Sequence, residues 1–580
     1  MLHPSLRAAA ISALLLAPIV GALPASAANE RIVGRAAATQ PVHFFVKLPL
    51  RNRGELEQLI SLQGTESSPL YHHFITPKQF AAEFGPTAAS RARVETALRA
   101  EGVTIDRAGA QGYVVRAASA AVEKNFGVRM SLLRSANGRT HVATKDPVRM
   151  PLALSKEGAA VVGLAYLQPR HVYARRSAMQ PSNRYSAVGD YYFADLKEAY
   201  DYPTYKDVRG RGVTIGVVIS SDVLDSDTQS YFDHENFTKI SHYPVPTVYR
   251  RYVEGGAPFD PNADASFEAS LDVQQTLGSA PGATDLLYDI PDLGDDSILA
   301  GYLDVVEDNA ADVISSSFGG CELDYTAAYN GGTDYTYILN IYDEIFAQGN
   351  AQGQTFLASS GDSSGLACPS LNYFYGQNGT FVPSVENPAS DPHVTAVGGT
   401  DLVTTTPPSP QPSVPVLTSK YVRESEYGDP EIPYDVYGFG ATVSGGYWGS
   451  GSGISTVFAE PAYQKAYGLK TKGRSVPDVS MQMGGCPFGI SLSCNKDDSA
   501  SILNFDGFRY GVIGTSASSP EFAGLLALRI AYGHSRLGNA NTTLYELGTA
   551  NDALPYHFYH QGIPGYNGVV TVKAGTKGYN

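Results

Sequence analysis

The sequence predicts an α/β protein of two domains, a small α+β domain followed by a larger domain built on a doubly wound, mostly parallel sheet. The 580 residues exceed the length of one ordinary domain. The first third mixes short strand and helix patterns, whereas continuous apolar runs alternate with helical patterns from residue 213 onward. A hydrophobic content of 43% and a charged content of 17% exclude a disordered or coiled-coil chain.

The N-terminal residues 1–27 have the pattern of a cleaved signal peptide. Arg7 precedes an apolar run from Ala8 to Val20, and the small residues Ala25-Ser26-Ala27 follow. A membrane anchor needs about 18 or more apolar residues, and this run is shorter and contains Pro18. We therefore expect a secreted, extracellular protein with no membrane partner.

The first domain is predicted to span residues 28–165. VHFFVKLPL (42–50) and GYVVRAA (112–118) are strand patterns, and SRARVETALRAEG (90–102) has helical spacing. TPKQFAAEFG (76–85) predicts a helix with a capping box formed by Thr76 and Gln79. Residues 166–188 are polar, contain Arg175-Arg176, and predict an exposed linker with a processing region.

The second domain is predicted to span residues 189–580. Its apolar runs end in small residues, as buried parallel strands do, and they fall at 213–220, 311–319, 355–362 and 393–400. Helical patterns at 299–309 and 335–348 lie between them. A doubly wound sheet places its active site beyond the carboxyl ends of the strands.

The net charge of −15 divides unevenly between the domains. Residues 28–180 carry 21 Lys and Arg against 11 Asp and Glu, whereas residues 181–580 carry 20 against 46. The arginines are scattered rather than clustered, so we expect no nucleic-acid partner. A basic domain that docks on an acidic domain explains the split better.

The four cysteines all lie in the second domain. An even number in an exported chain indicates disulfides, most simply Cys321–Cys368 and Cys486–Cys494, although four cysteines allow three pairings. A zinc site is the alternative, but no CxxC or HxxxH spacing supports it.

Two motifs carry the chemistry. GTSASSP (514–520) places Ser516 where a turn enters an apolar helix, and free backbone amides there favour a developing negative charge. DASFEASLDVQQTLGSAPGA (264–283) predicts a helix with Glu268 and Asp272 four residues apart on one face. The flanking apolar residues indicate that the pair is buried rather than part of an exposed acidic face. The serine motif also resembles that of subtilisins, which use a histidine triad and whose histidine base is usually followed by glycine. This sequence contains no His-Gly pair, which disfavours that alternative.

These motifs, together with Ser-Gly-Asp at 360–362, resemble the sedolisin family of serine-carboxyl peptidases. SPLYHHFITPKQFAAEFGP (68–86) is similar to the family's activation-domain signature, and NPASDPHVTAVGGT (387–400) and SVPDVSM (475–481) agree in order. The resemblance covers residues 40–530. It implies a subtilisin-like peptidase domain preceded by a ferredoxin-like α+β prodomain that acts as an intramolecular inhibitor.

The resemblance also implies the residue roles. Ser516 matches the nucleophile that forms an acyl-enzyme, Glu268 the general base, and Asp272 the residue that hydrogen-bonds this base. Asp362 matches the oxyanion-hole donor, although a turn-forming aspartate is the alternative. The resemblance and the signal-peptide pattern together predict a secreted, self-processing peptidase. Because a carboxyl donates a hydrogen bond only when protonated, we expect this enzyme to hydrolyse peptide bonds in acid. Endopeptidase and tripeptidyl-peptidase activity both stay open.

The family's calcium site is degraded in this chain. Its counterpart falls in YHFYHQG (556–562) and AGTKGYN (574–580), with Phe558 where an Asp is expected. The weak candidates for ligands are Phe558, Tyr559, Gly575, Gly578 and Asn580. Calcium prefers six to eight oxygen ligands including carboxylates, so we expect no required cofactor and no normal calcium site.

Two departures from the family pattern, at the C-terminus and at Phe318, leave a further alternative. In it the chain is a catalytically silent secreted binding protein on a peptidase scaffold. Ser317-Phe318-Gly319 stands where many sedolisins have Ser-Trp-Gly, which predicts an altered hydrogen-bond network around Glu268. The preferred interpretation is a monomeric peptidase whose partners are peptide or protein substrates and its own prodomain.

Overall fold

The computed structural model describes residues 31–573 except 135–139, 178–186, 204–207, 406–418, 426–427, 488, 490, 493 and 554–557. The predicted signal peptide, residues 178–186 of the predicted linker and the C-terminal AGTKGYN segment lie outside the described residues. Across the part of the chain that is described, no helix is long and apolar enough to span a membrane.

The first domain is an antiparallel α+β unit. Its elements are β1 (Arg31–Arg35), β2 (Pro41–Lys47), α1 (Arg53–Gly64), α2 (Pro77–Glu83), α3 (Ala88–Ala100), β3 (Thr104–Ala108), β4 (Gly112–Ala118), α4 (Ser119–Phe126), β5 (Ser131–Arg134), β6 (Thr140–Ala143), α5 (Leu152–Ser155) and β7 (Ala160–Val162). The four-stranded sheet has the order β3-β4-β2-β7, and β1-β5-β6 form a second sheet. This βαββαβ order confirms the ferredoxin-like prediction. The predicted capping box of Thr76 and Gln79 is also formed at α2.

Two short strands cross from the first domain to the second. They are β8 (His171–Val172) and β9 (Arg175–Arg176), and both pair with strands of the second domain. Their pairing places this part of the chain against the body of the second domain rather than in solvent.

The second domain is built on an eight-stranded sheet. Its strands are β10 (Thr214–Ile219), β11 (Val248–Tyr252), β12 (Thr284–Asp289), β13 (Val313–Ser316), β15 (Thr355–Ser359), β19 (Val394–Thr404), β20 (Tyr421–Ser425) and β26 (Val479–Gln482). The order is β11-β12-β10-β13-β15-β19-β20, with β26 also paired to β19. Every pair is parallel except β19 with β20, as the apolar runs predicted.

Helices of the second domain lie on both faces of this sheet and beside it. They are α6 (Phe193–Ala199), α7 (Asp225–His234), α8 (Phe237–Ser241), α9 (Asp264–Ser279), α10 (Asp295–Asp308), α11 (Tyr337–Ala351), α12 (Leu371–Phe374), α13 (Ala462–Tyr467), α14 (Thr515–Gly533) and α15 (Asn541–Ala550). Val313 and Leu357 share a core with Phe522 of α14, whereas Ile314 and Phe356 join the core of α10 and α11. Successive strand residues therefore bury against opposite faces, which is the doubly wound arrangement.

Short strands complete the second domain around the sheet. They are β14 (Phe318–Cys321), β16 (Cys368–Pro369), β17 (Gly379–Val382), β18 (Glu386–Asn387), β21 (Asp429–Pro430), β22 (Val443–Ser444), β23 (Tyr447–Trp448), β24 (Gly453–Ala459), β25 (Gly473–Val476), β27 (Ser501–Phe505), β28 (Phe508–Ile513), β29 (Gly565–Tyr566) and β30 (Thr571–Val572). Disulfides join Cys321 to Cys368 and Cys486 to Cys494, which confirms the simplest predicted pairing.

The two domains dock through opposite charges. Basic side chains of the first domain contact carboxylates on α10 and α11 in the ion pairs Lys47–Glu344, Arg53–Asp343 and Arg107–Asp304. Phe45 of β2 also enters the same apolar cluster as α10. The predicted attraction between a basic and an acidic domain is therefore visible as specific contacts.

Candidate active site

The serine lies at the start of α14, directly after β28. Gly514 adopts φ 133°, a conformation that favours glycine, so the chain can turn sharply from strand to helix. Ser516 then falls in the first turn of α14, where backbone amides lack helical partners. Its side chain is fully buried, and its Oγ has no hydrogen-bond partner of standard geometry, histidine included, among the described residues.

The two acidic residues of α9 lie where the sequence predicted, on one buried helix face. Glu268 and Asp272 are both 0% exposed, and α9 packs against α14, where Gly524 allows close approach to Ser279. Glu268 Oε2 accepts hydrogen bonds from the backbone amides of Tyr173 at 2.9 Å and Ala174 at 2.7 Å. Packing of α9 on α14 thus brings the carboxylates to the serine.

Asp272 is held by a serine that follows the neighbouring strand. Its Oδ1 accepts a hydrogen bond from the Ser317 hydroxyl at 2.5 Å, and the predicted hydrogen bond between Asp272 and Glu268 stays a prediction. Among the described residues, Asp272 Oδ2 and Glu268 Oε1 have no partner of standard geometry. Ser317, the residue directly after β13, therefore fixes Asp272. No local pattern indicated this contact, because a serine after a strand is common.

Electrostatic effects tie the three side chains together. Burial holds the pKa of Glu268 above its ordinary value, although hydrogen bonding to the Ser516 hydroxyl and to the amides of Ala174 and Tyr173 acts to lower it. The Ser516 hydroxyl is thus a neighbour of the Glu268 carboxyl, although the two do not form a hydrogen bond of standard geometry. Burial and the neighbouring Glu268 raise the pKa of Asp272. Two buried carboxyls this close share protons rather than ionise together.

Asp362 follows β15 and faces the same turn. Its Oδ1 accepts from the backbone amide and the hydroxyl of Thr515, at 2.8 and 2.7 Å. Its Oδ2 is buried without a partner among the described residues, and it borders Gly514. Burial raises the pKa of Asp362 to about 7, against the lowering effects of Thr515 and Arg175. Below neutrality this carboxyl can therefore present a proton beside the start of α14.

The predicted linker is not exposed where it passes this site. Val172, Tyr173 and Ala174 are 7%, 2% and 5% exposed. The polar composition of residues 166–188 predicted a solvent-facing segment, and that expectation was wrong for this part of it. The backbone is buried because it pairs with β14 and β28, which sequence composition does not reveal.

Comparisons with known proteins assign the family. Residues 28–167 match the activation domain described as "Pro-kumamolisin, activation domain", and residues 260–559, more than half of the chain, match the "Subtilase family". Sedolisin from Pseudomonas sp. (strain 101) is 27% identical over 543 residues, covering 92% of this chain and 83% of that protein. The chain belongs to the sedolisin group of the subtilase family. It is a serine-carboxyl peptidase with an N-terminal activation domain, as predicted.

Two further comparisons match large parts of the chain. Kumamolisin from Bacillus sp. (strain MN-32) is 25% identical over 543 residues, covering 90% of this chain and 84% of that protein. A solved structure of Pseudomonas sedolisin complexed with two molecules of pseudo-iodotyrostatin is 26% identical and has a TM-score of 0.49, with 67% of this chain and 93% of that chain covered.

The two described candidates for a calcium site, Phe558 and Tyr559, offer the ion no carboxylate. Phe558 offers a benzyl side chain where a carboxylate is needed, and it is 43% exposed. The Tyr559 carbonyl already accepts from the Asn551 side chain at 3.2 Å. Gly575, Gly578 and Asn580 lie outside the described residues. The expectation of no normal calcium site stays a prediction.

Proposed function

We propose that this sedolisin-family chain is the secreted, self-processing precursor of an acid-acting peptidase with a Ser516-Glu268-Asp272 triad and Asp362 as oxyanion donor. The observation that carries the proposal is the convergence of three buried carboxyls on the serine at the start of α14. The Ser516 hydroxyl has a carboxyl as its polar neighbour and no histidine partner among the described residues. This supports a carboxylate base over a histidine triad.

The proposed reaction follows from these positions. Ser516 Oγ attacks the carbonyl carbon of the scissile bond while Glu268 takes its proton. The oxyanion receives a hydrogen bond from protonated Asp362 Oδ2, and the amides at the start of α14 favour its charge. Glu268 then gives the proton to the leaving amine, and water hydrolyses the acyl-enzyme. Asp272, whose position Ser317 fixes, shares protons with Glu268 and so influences whether Glu268 is ionised.

Acid action follows from the oxyanion donor. Asp362 can donate only while protonated, and its pKa is raised to about 7 by burial. Activity should therefore fall as pH rises through 7, because the ionised carboxylate repels an oxyanion instead of donating to it. At low pH we expect activity to fall because Glu268 and Asp272 take up protons. The two carboxyls titrate as a coupled pair, so the apparent pKa values of the profile describe the pair and neither residue alone.

The test is hydrolysis of an unfolded protein by acid-treated precursor between pH 3 and pH 8. We expect a bell-shaped profile with its maximum below neutrality. Asp362→Ala should lower kcat about 10²–10³-fold at the optimum, as loss of an oxyanion donor does. Asp362→Asn supplies a donor that does not titrate, so the fall above pH 7 should disappear.

Two results would contradict this proposal. One is a maximum above neutrality in the wild-type protein. The other is an Asp362→Ala profile that matches the wild type. A catalytically silent binding protein would hydrolyse nothing at any pH, and a contaminating protease is excluded by the inactive Ser516→Ala protein prepared in parallel.

We further propose that the first domain inhibits the peptidase until acid weakens its docking. His393 contacts Glu57 of α1 at 3.2 Å, with Asp343 3.6 Å from the imidazole. Although burial acts to raise it, hydrogen bonding to His393 and the charges of His393 and Arg53 lower the pKa of Glu57 to about 2. Burial lowers the pKa of His393, but Glu57 and Asp343 raise it to about 9.

Glu57 determines the direction in which pH changes the docking of the first domain. Its contribution to docking is complete above its ordinary pKa of 4.5 and is lost as pH falls towards 2. Glu57→Gln removes this contribution at every pH, so self-processing should begin at a higher pH and run several-fold faster at pH 5. Gel analysis of precursor incubated across pH 3–7 measures this, with Glu55→Gln on the same helix as the control. An unchanged pH midpoint would contradict the role of Glu57.

A further inference from the structure

The segment from Arg170 to Ser177 crosses the candidate active site as an extended chain. On one side, His171 and Val172 pair antiparallel with Gly319 and Phe318 of β14. On the other side, Arg175 and Arg176 pair antiparallel with β28, the strand that leads into the serine turn. Tyr173 and Ala174 lie between these two ladders. The peptide bond between them is thus held from both ends.

The polar atoms of this peptide unit face the proposed catalytic residues. The Ala174 amide donates to Glu268 Oε2 at 2.7 Å. A Cβ on Gly514 would lie 2.8 Å from Asp362 Oδ2, 3.2 Å from the Tyr173 carbonyl oxygen and 3.5 Å from the Ala174 Cα. The carbonyl and the unpartnered carboxyl oxygen therefore border the same small space beside the turn that carries Ser516.

The Tyr173 side chain fills a closed pocket. Its ring is 2% exposed, and its hydroxyl donates to Glu386 Oε2 at 2.5 Å. Glu386 is 1% exposed, and the pocket wall includes Gly319, where a Cβ would fall 1.7 Å from the Tyr173 hydroxyl. Residue 319 must therefore lack a side chain for this ring to enter. The fit is specific to a long aromatic side chain with a terminal hydroxyl.

We propose that the precursor first cleaves itself between Tyr173 and Ala174, and that Glu386 is a specificity-determining residue that selects tyrosine on the acyl side of the bond. This inference rests on the proposed catalytic function. A site built to pair with a hydroxyl discriminates against the analogue that lacks it, because a buried polar group is then left unpaired. Phenylalanine would leave the Glu386 carboxyl in that state.

The step balances with one water molecule. A bond forms between Ser516 Oγ and the Tyr173 carbonyl carbon, and the bond from that carbon to the Ala174 nitrogen breaks. The serine proton passes through Glu268 to the nitrogen, so Ala174 becomes the new N-terminus. Water then hydrolyses the tyrosyl ester, which leaves a carboxylate on Tyr173 and restores Ser516.

The first experiment follows the purified full-length precursor after a shift to pH 4. Intact mass and N-terminal sequencing should show a chain beginning at Ala174 as the earliest product. Its half-time should not depend on protein concentration, because the bond already lies in its own active site. Tyr173→Phe should slow this cleavage at least about tenfold. Tyr166→Phe is the control, because it removes a tyrosine hydroxyl that donates to Gln168 outside the crossing segment. An earliest product that begins elsewhere would overturn the assignment of the bond.

The second experiment measures kcat and KM of the processed enzyme on two peptides that differ only in Tyr or Phe before the scissile bond. Wild-type enzyme should prefer tyrosine at least about tenfold in kcat/KM, and Glu386→Leu should remove or invert this ratio. Glu386→Gln, which keeps a hydrogen-bonding oxygen, should retain it. A ratio unchanged in Glu386→Leu would overturn the role of Glu386. If instead neither precursor nor peptides are cleaved, the proposed function itself fails.

Discussion

Ser516→Ala is expected to stop both self-processing and substrate hydrolysis, lowering kcat by roughly 10⁴–10⁶-fold. The expectation rests on covalent catalysis, because loss of a serine nucleophile leaves only the residual rate given by binding and oxyanion contacts. The buried Ser516 side chain makes no standard hydrogen bond within the described residues, so its removal should hardly change folding. Mass spectrometry should therefore find the variant as intact precursor after days at pH 4.

Ser519→Ala is the matched control for this variant. Ser519 is also buried in the first turns of α14, but its hydroxyl contacts Ser315 at 3.0 Å rather than the carboxyls of α9. We expect this control to process itself and to hydrolyse substrate at rates near those of the wild type. Self-processing of purified Ser516→Ala protein would show that another residue is the nucleophile.

Glu268→Gln is expected to lower kcat by roughly 10⁴-fold, since general-base catalysis contributes about 10²–10⁴ and its loss also leaves the nucleophile unactivated. An amide cannot take the serine proton at any pH. The glutamine oxygen can still accept from the amides of Tyr173 and Ala174, which Glu268 now binds, so the linker should keep its place. Rate measurements from pH 3 to pH 8 would show a uniform loss rather than a shifted optimum.

Asp264→Asn makes the same chemical change on the same helix and serves as the control. Asp264 is the first residue of α9, a full turn before Glu268. We expect its activity to stay within a few-fold of the wild type. Wild-type activity in Glu268→Gln would exclude a carboxylate base and return attention to a histidine elsewhere.

Local sequence patterns predicted the parts of the site that single elements carry. Glu268 and Asp272 share a face because a helix repeats every 3.6 residues, and Gly514 marks the turn before Ser516 because φ 133° favours glycine. The parallel sheet followed from continuous apolar strands, and these three inferences need only neighbouring residues. The disulfides were predicted as the simplest of the three pairings that four cysteines allow.

Contacts between distant segments could not be predicted in this way. Ser317 bonds Asp272 across 45 residues, and Glu386 bonds Tyr173 across 213. Neither a serine after a strand nor a single glutamate in a two-residue strand carries a local signal of such a contact. The polar linker was expected in solvent because composition reports the hydration of side chains, whereas here the backbone is buried by strand pairing with β14 and β28.

The Cys321–Cys368 bridge links two walls of the cleft. Cys321 ends the strand that pairs with the crossing segment, and Cys368 lies six residues beyond Asp362. Thiol oxidation therefore couples the strand edge that pairs with the crossing segment to the loop that carries Asp362, the proposed oxyanion donor. Chain produced in a reducing compartment would lack this tie, and its catalytic rate, as well as its resistance to heat, would depend on the redox conditions of its assembly.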